Sequence, residues 1–538
     1  MSGVFKKRFT ITRVKRKMYN FLSFDIETIT QDKKNIGKFL FGGIYNGTDY
    51  LFFTIREKMR DYITRAYFIR SIWVAHNLEY DLNRIFLDDP IIERFYNGGR
   101  LVMARYEKSK GNFIYFWDSY NLSLQSLANL GKVIGIEKGE IEFTDEITQK
   151  FIDYNKRDCE IVWKYITYLQ DLVYSIGGNM KATLGGISLD LYRRKYMPKE
   201  AEYFQLPHYL IDIYRQGYYG GRVEVFDFNS YKKVFYYDII SSYPSSMLNK
   251  FPLLDSWVNK PDLDYDGISF VQVIIPELFF SPLPYRTESG KLLFPCGQWS
   301  GWYYNNELRG IKKIYPQVKI EIKRGVHYKK SMPIFSNFVN TIYEKRKKSK
   351  TETENFIYKI FLNSLYGKFA VRSNFDIIKN KEVTHIRSNI VSSNVIWSGM
   401  ITSFSRITLL KLLIKSQSIY TDTDSSVSLL KLPCGNSLGD ISVKDIYHNF
   451  RAVNNKHYEF NGTEKIKGIP KNAVKLSDNK YQYSIPIKYH SAQRRKIPLW
   501  RWVDVIKELS PDYDKRIILN NKLTKPFRIY NNKIMKDY

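Results

Sequence analysis

Apolar and polar residues alternate with period two through FLSFDIETI (21–29), and the spacing predicts a strand. The turn-rich QDKKNIGK follows, and then a second strand pair, FLFGGIYNGTDYLFFTI (39–55). The stretch RFTITRV (8–14) alternates in the same way and reads as a further strand. Helical and strand periods then exchange until about Tyr174, where SIGGN breaks the pattern, and 175–225 mixes helix with Gly-rich turns like a connector. VFYYDII (234–240) opens a second region as an apolar strand. Residues 335–370 keep a helical pattern with neither Pro nor Gly until Gly367, which predicts one long charged helix. SIYTDTDSSVSLL (418–430) reads as a strand, yet it carries Asp422 and Asp424 two residues apart. On an extended strand both carboxylates share one face, about 6.5 Å apart along the backbone. Two like charges so placed repel unless something positive sits between them.

Length and charge widen the picture. A chain of 538 residues exceeds what one core serves, so two or more domains are expected. The net charge of +30 fits a polyanionic partner, nucleic acid first, although plain solubility or AT-rich codon usage would also raise Lys. Residues 451–538 hold 20 Lys and Arg against 8 Asp and Glu, a large share of that excess. Cys159, Cys296 and Cys434 lie far apart, which excludes a disulfide framework and a CxxC zinc site and suits a reducing compartment. No apolar run approaches the roughly 18 residues of a membrane helix. The basic start, with seven Lys and Arg in twenty residues, lacks the apolar stretch of a secretory signal.

Phe24-Asp25-Ile26-Glu27 sets two acids on one strand face, and alone that pattern only keeps a strand edge soluble. HNLEYDLNRIF adds Asp81 at a helix start, just after His76 and Asn77. YNKRDCEIVWKYI adds Tyr154 and Asp158, i and i+4 on one helix face. Four acids from three segments suit two hard Mg²⁺ or Mn²⁺ ions about 3.5–4 Å apart, which activate water and stabilise a leaving oxygen. The tyrosine hydroxyl can orient that water. FDIET, NLEYD and YNKRD resemble the three exonuclease motifs of the DnaQ-type, ribonuclease H-like 3′–5′ proofreading domain of family B DNA polymerases. The resemblance implies metal ligation by Asp25, Glu27 and Asp158, with Asp81 and Tyr154 completing the site. It also implies that Thr28, His76, Asn77 and Tyr80 hold a single-stranded 3′ end, with Ser123 and Leu124 as a further strand-binding motif.

A second cluster starts at Asp238, at the end of an apolar strand and before the turn ISSYPS; alone it reads equally well as a helix N-cap. With YTDTDS it resembles motifs A (DxxSLYPS) and C (YxDTDS) of family B polymerases. That resemblance implies metal ligation by Asp238, the Ile239 carbonyl and Asp424, with Asp422 ligating or shaping the field. KIFLNSLYG (359–367) is similar to motif B of the fingers, although an amphipathic helix ended by Gly367 is the plain reading. Lys359 would reach the triphosphate, with Asn363 and Tyr366 broadly on the same face, and Tyr243 would pack under the incoming sugar and exclude a ribose 2′-hydroxyl. KRKKSK (345–350) offers further phosphate contacts, or a solvated helix face. QGYYGG (216–221) resembles the template-contacting YxGG motif, with Tyr218, Gly220 and Gly221. Lys456 and Tyr458 resemble the KxY motif that holds the primer terminus, and Lys465, Lys467 and Lys471 the lysine-rich stretch after it.

Length and spacing most resemble the protein-primed family B DNA polymerases of phages and linear plasmids. The implied architecture is α/β and α+β multidomain: an exonuclease domain (1–175), a connector (176–233), palm with a terminal-protein-contacting insertion (234–334), fingers (335–370), palm again (371–450) and thumb (451–538). The implied partners are template and primer DNA, dNTPs and a terminal protein, with two Mg²⁺ (or Mn²⁺) per site, no membrane and a monomeric enzyme. The expected setting is the cytoplasm of a bacterial host for a phage gene, or an organelle for a plasmid gene. Ser242 replaces the motif A leucine, and Asn355 stands where some relatives have a second fingers lysine. The 52 residues between Gly367 and Tyr420 leave little room for the family's template-encircling insertion, so processivity and strand displacement are not expected from it. A nucleic-acid-primed family B polymerase, and a DNA-binding protein with vestigial sites, remain alternatives.

Overall fold

The computed structural model describes residues 17–29, 37–86, 89–141, 146–201, 206–258, 262–371, 374–387, 394–470, 472–496 and 502–535. The predicted strand at 8–14, most of the 31–38 turn and Lys471 lie outside the described residues.

The period-two strands assemble into a nine-stranded sheet at the N-terminal end. Its order is Glu382–Arg387, Asn374–Lys379, Ile92–Asn97, Arg100–Ser109, Asn112–Asp118, Ile72–Ala75, Phe21–Ile29, Lys38–Tyr45 and Tyr50–Phe53. Phe21–Ile29 runs parallel to Ile72–Ala75 and antiparallel to Lys38–Tyr45, so the acid-bearing strand lies inside the sheet. The 27-residue helix Gln149–Ser175 covers it, its start capped by the Thr148 hydroxyl, which accepts from Phe151 N.

A seven-stranded antiparallel sheet carries the second cluster. Its order is Thr463–Ile466, His457–Phe460, Ile441–Asn454, Tyr231–Ile239, Ser425–Ser428, Tyr420–Thr423 and Arg222–Val225. A six-stranded sheet holds the inserted strands Trp257–Val258, Asp266–Ile275, Cys296–Tyr304 and Lys319–Tyr328, and the terminal strands Arg528–Tyr530 and Lys533–Met535 return to its edge.

Four expectations are corrected. SIYTDTDS is not one strand: Asp422 pairs with Ser425, so Thr423 and Asp424 form a two-residue hairpin loop. The 335–370 helix is two, Ser336–Lys347 and Glu352–Lys368, because the Thr351 hydroxyl caps the second by accepting from Glu354 N. Gly367 is helical and ends nothing, since the helix continues to Lys368. Asn374–Lys379 and Glu382–Arg387, expected in the palm, form an antiparallel hairpin on the Ile92–Asn97 strand of the N-terminal sheet. Helices of the 176–233 connector pack into the core. Leu184, Ile187, Leu191 and Tyr192 share one apolar core with Ile166 of the long helix, Phe361 of the helix Glu352–Lys368 and Trp397. That shared burial fixes the N-terminal sheet against the second region.

Candidate functional site

The hairpin turn brings the second cluster together. Ser425 pairs with Asp238, and Ile239 N donates to the Asp424 carbonyl at 2.9 Å, so Asp424 in the hairpin loop stands beside Asp238 on the neighbouring strand. Asp238 ends a strand and caps no helix; Ser241 precedes the short helix Ser242–Ser246. Burial, and then the Asp238 charge, push the Asp424 carboxyl up to about 6. Burial raises Asp238 too, against the pull of Lys444 and Lys359. Asp422 turns to a different partner: Lys456 Nζ donates to its Oδ1 at 2.5 Å, as does Thr423 Oγ1 at 2.8 Å. The two adjacent aspartates therefore divide, one facing Asp238 and one held by a lysine.

The loop is strained, since Thr423 sits at φ 65°, a conformation costly for a β-branched residue. A buried hydroxyl network holds it: Ser416 Oγ pairs with Ser426 Oγ, Ser426 donates to Ser418, and Thr421 donates to the Ser425 carbonyl. Gly221 lies against the loop, where a Cβ would come within 2.8 Å of Thr423 Cγ2. Beside it, the Tyr243 and Tyr366 rings stack with centroids 4.2 Å apart. Lys359 and Asn363 are exposed on the helix Glu352–Lys368, and Lys359 borders a groove of about 600 Å³ with Arg346, Lys350 and Asn355. Arg346, within the basic run 345–350, donates to Asn355 Oδ1 and to Ser241 Oγ, both at 3.4 Å.

The Tyr218–Gly221 loop is fixed by arginines. Arg286 donates to the Tyr218 carbonyl, and buried Arg406 to those of Tyr219 and Gly220, at 2.6 and 3.1 Å. Arg406 also makes two 2.7 Å bonds to the fully buried Glu307 carboxylate. Tyr458 packs in an aromatic cluster with Tyr420, Tyr447 and Phe460, so its ring is core, whereas Lys465 and Lys467 are exposed.

The first cluster gathers as its motifs suggest. Asp25 and Glu27 project from the strand Phe21–Ile29, Asp81 from the helix Glu79–Phe86, and Tyr154 and Asp158 from the long helix. Ile26 N donates to Asp81 Oδ1 at 3.3 Å, and burial with the mutual charges raises Asp25 and Asp81 well above the usual carboxylate range. Glu27 rises to about 7, chiefly through burial, against a hydrogen bond from Asn155. Lys138, which no motif flagged, lies 2.8 Å from Asp158 Oδ2 and under the Tyr154 ring; burial disfavours its charge, but Asp158 more than restores it. Thr28 Oγ1 and Tyr80 OH are hydrogen-bonded at 2.7 Å, and His76 Nδ1 pairs with Ser119 Oγ. Asn77, at φ 61°, donates its N–H to Asp118 Oδ1. Ser123 is buried and donates to the Ser119 carbonyl, while Leu124 beside it is 48% exposed.

Among the described residues, no three His, Cys, Asp or Glu side chains stand in a metal-holding arrangement. The donor chemistry nevertheless suits a hard cation. Each cluster is all oxygen, desolvated and self-repelling; Lys138 lies on Asp158, Lys456 on Asp422, and the exposed Lys444 amine 3.8 Å from Asp238 Oδ2. Among the described residues, no helix is long and apolar enough to cross a membrane.

Residues 135–428 match the family described as DNA polymerase type B, organellar and viral. The chain is 26% identical over 419 residues to a probable DNA polymerase of Podospora anserina, covering 68% of this chain and 34% of that protein. It is 25% identical over 377 residues to the DNA-directed DNA polymerase of Enterobacteria phage PRD1, covering 66% and 62%. The fold is that of Phi29 DNA polymerase complexed with primer-template DNA and incoming nucleotides, with TM-score 0.70, 16% identity, and 92% of this chain and 100% of that one covered. The chain thus spans about a third of the length of the Podospora relative. With the matched segment, residues 135–428, taking in Lys138 and the Asp422–Asp424 hairpin and covering over half of the sequence, the chain belongs to the organellar and viral type B DNA polymerases.

Proposed function

We propose that this chain is a template-directed DNA polymerase with a separate 3′–5′ exonuclease site, and that it starts synthesis on the hydroxyl of a terminal protein. The observation that carries the reading is the pairing of Ser425 with Asp238, which sets Asp238 beside Asp424 across a strained hairpin. Family B polymerases generally use divalent metal ions. Two Mg²⁺ ions held by Asp238, Asp424 and the Ile239 carbonyl would lower the pKa of the primer hydroxyl and neutralise the departing pyrophosphate. Asp25, Glu27 and Asp158 would hold the pair that serves phosphodiester hydrolysis.

The remaining work falls to side chains. Lys359 offers a cation to the triphosphate at the groove edge. The Tyr243–Tyr366 stack forms a flat floor for sugar and base, where selection by shape is worth roughly 1–3 kcal/mol per contact. Such modest selection gives a physical reason for a trimming site on the same chain. The arginine-held Tyr218–Gly221 loop is supported as the template contact, and exposed Lys465 and Lys467 as salt-sensitive phosphate contacts. Lys456 joins Asp422 to the strand pair that would carry the primer terminus.

A labelled primer on a template should lengthen with dNTPs and Mg²⁺ and shorten when dNTPs are withheld. Priming is tested separately, by incubating the enzyme with the co-encoded candidate protein, labelled dATP or dTTP and Mg²⁺ or Mn²⁺, without an oligonucleotide. A covalent protein–nucleotide product supports terminal-protein priming. Extension of DNA primers without that product leaves an ordinary nucleic-acid-primed polymerase.

A further inference from the structure

Asn155 follows Tyr154 in the YNKRD motif but faces into the protein, and it is fully buried. Its Nδ2 donates to Asp25 Oδ2 at 2.8 Å and to Glu27 Oε1 at 3.3 Å. Its Oδ1 accepts from Tyr50 OH at 2.9 Å, which fixes which end of the amide faces the acids. The opposite strand leaves space for this bond. Gly43 is in register with Asp25, and a Cβ there would lie 2.2 Å from Asn155 Oδ1 and 2.5 Å from Tyr50 OH.

We propose that Asn155 is a positioning residue of the N-terminal acidic site, its carboxamide holding the Asp25 and Glu27 carboxylates in one orientation toward a divalent cation. The inference rests on the exonuclease reading given above. Two repelling carboxylates on one strand face would splay without a shared donor. One NH₂ between them spans the gap, adds no charge and takes only one oxygen of each acid. A lysine at that position would neutralise one acid and compete with the cation. Tyr50 locks the amide, and Gly43 gives Tyr50 its path. Groups that orient metal-binding side chains in this way typically contribute about 10–100-fold to metal affinity or activity.

The test uses the full chain and Mn²⁺ alone as the probe, with binding followed by electron paramagnetic resonance and activity by primer trimming and primer extension. Asn155→Leu should weaken Mn²⁺ binding at the N-terminal site, and raise the Mn²⁺ needed for half-maximal trimming, by about 10–100-fold, with extension unchanged. Tyr50→Phe keeps the amide but frees it to rotate, and should give a smaller shift in the same direction. Unchanged Mn²⁺ binding in both variants overturns the proposal, as does equal loss of trimming and extension in both, which makes Asn155 a scaffold residue. Asp25→Ala in parallel separates the two claims. If it leaves trimming intact, the exonuclease reading itself fails; if it abolishes trimming while both variants match wild type, only the role of Asn155 fails.

Discussion

Removing a charge from the N-terminal acidic site should stabilise the metal-free protein. Glu27 is 8% exposed, and burial lifts its carboxyl from 4.5 to about 7. A carboxyl raised in the folded state favours folding below its unfolded pKa, and that advantage is lost as pH rises through the folded value. The gap between 4.5 and about 7 corresponds to about 3 kcal/mol, held fully at pH 4 and gone by pH 8. Glu27→Gln removes the titration yet keeps an acceptor for Asn155 Nδ2, so the variant should not lose its hydrogen bond. In EDTA at pH 8, urea unfolding should show it more stable than wild type by up to about 3 kcal/mol, with the gain vanishing toward pH 4.5. In saturating Mg²⁺ the order should close or reverse, because a ligand at 100 times its Kd adds about 2.7 kcal/mol to the protein that binds it. A variant no more stable than wild type at pH 8 in EDTA would refute the claim that burial in the fold disfavours the charged Glu27 carboxylate.

Two further changes probe the polymerase side. Arg406→Met strands the buried Glu307 carboxylate and should cost about 3–5 kcal/mol in urea unfolding, most of it regained with Glu307→Leu on the same chain. A cost under 1 kcal/mol would mean that the pair does not hold the Tyr218–Gly221 loop. Tyr243→Ala removes the ring stacked on Tyr366 and should raise ribonucleotide incorporation relative to dNTPs roughly 10-fold, read by primer extension with rNTPs. An unchanged ratio would remove Tyr243 from sugar selection.

How much of this was legible in the sequence differs by element. The grouping of Asp25 with Glu27 and of Asp238 with Asp424 was legible only through the resemblance of FDIET, DIISSYPS and YTDTDS to family motifs, since each acid alone has a plain reading as strand-edge charge or helix cap. The hairpin at 422–425 was not, since TDTD lacks the Asn-Gly or Gly turn signal and Thr423 adopts its positive φ only with tertiary support. The break between the helices Ser336–Lys347 and Glu352–Lys368 was signalled and missed, because Thr351 and Glu354 have the spacing of a helix start. Lys138, Asn155, Glu307 and Arg406 act through partners 20 to 187 residues away, and no local pattern marks such pairs. The docking of Asn374–Arg387 onto the N-terminal sheet is likewise a long-range pairing without a local signature.

The central claim is that one chain carries two acidic sites with opposite chemistry, and one gel measures it. Wild type, Asp25→Ala and Asp424→Ala are given the same labelled primer-template with Mg²⁺, with and without dNTPs. The account predicts that Asp424→Ala still trims but no longer extends, and that Asp25→Ala extends but no longer trims. Loss of both activities in either folded variant, or loss of neither, would contradict it.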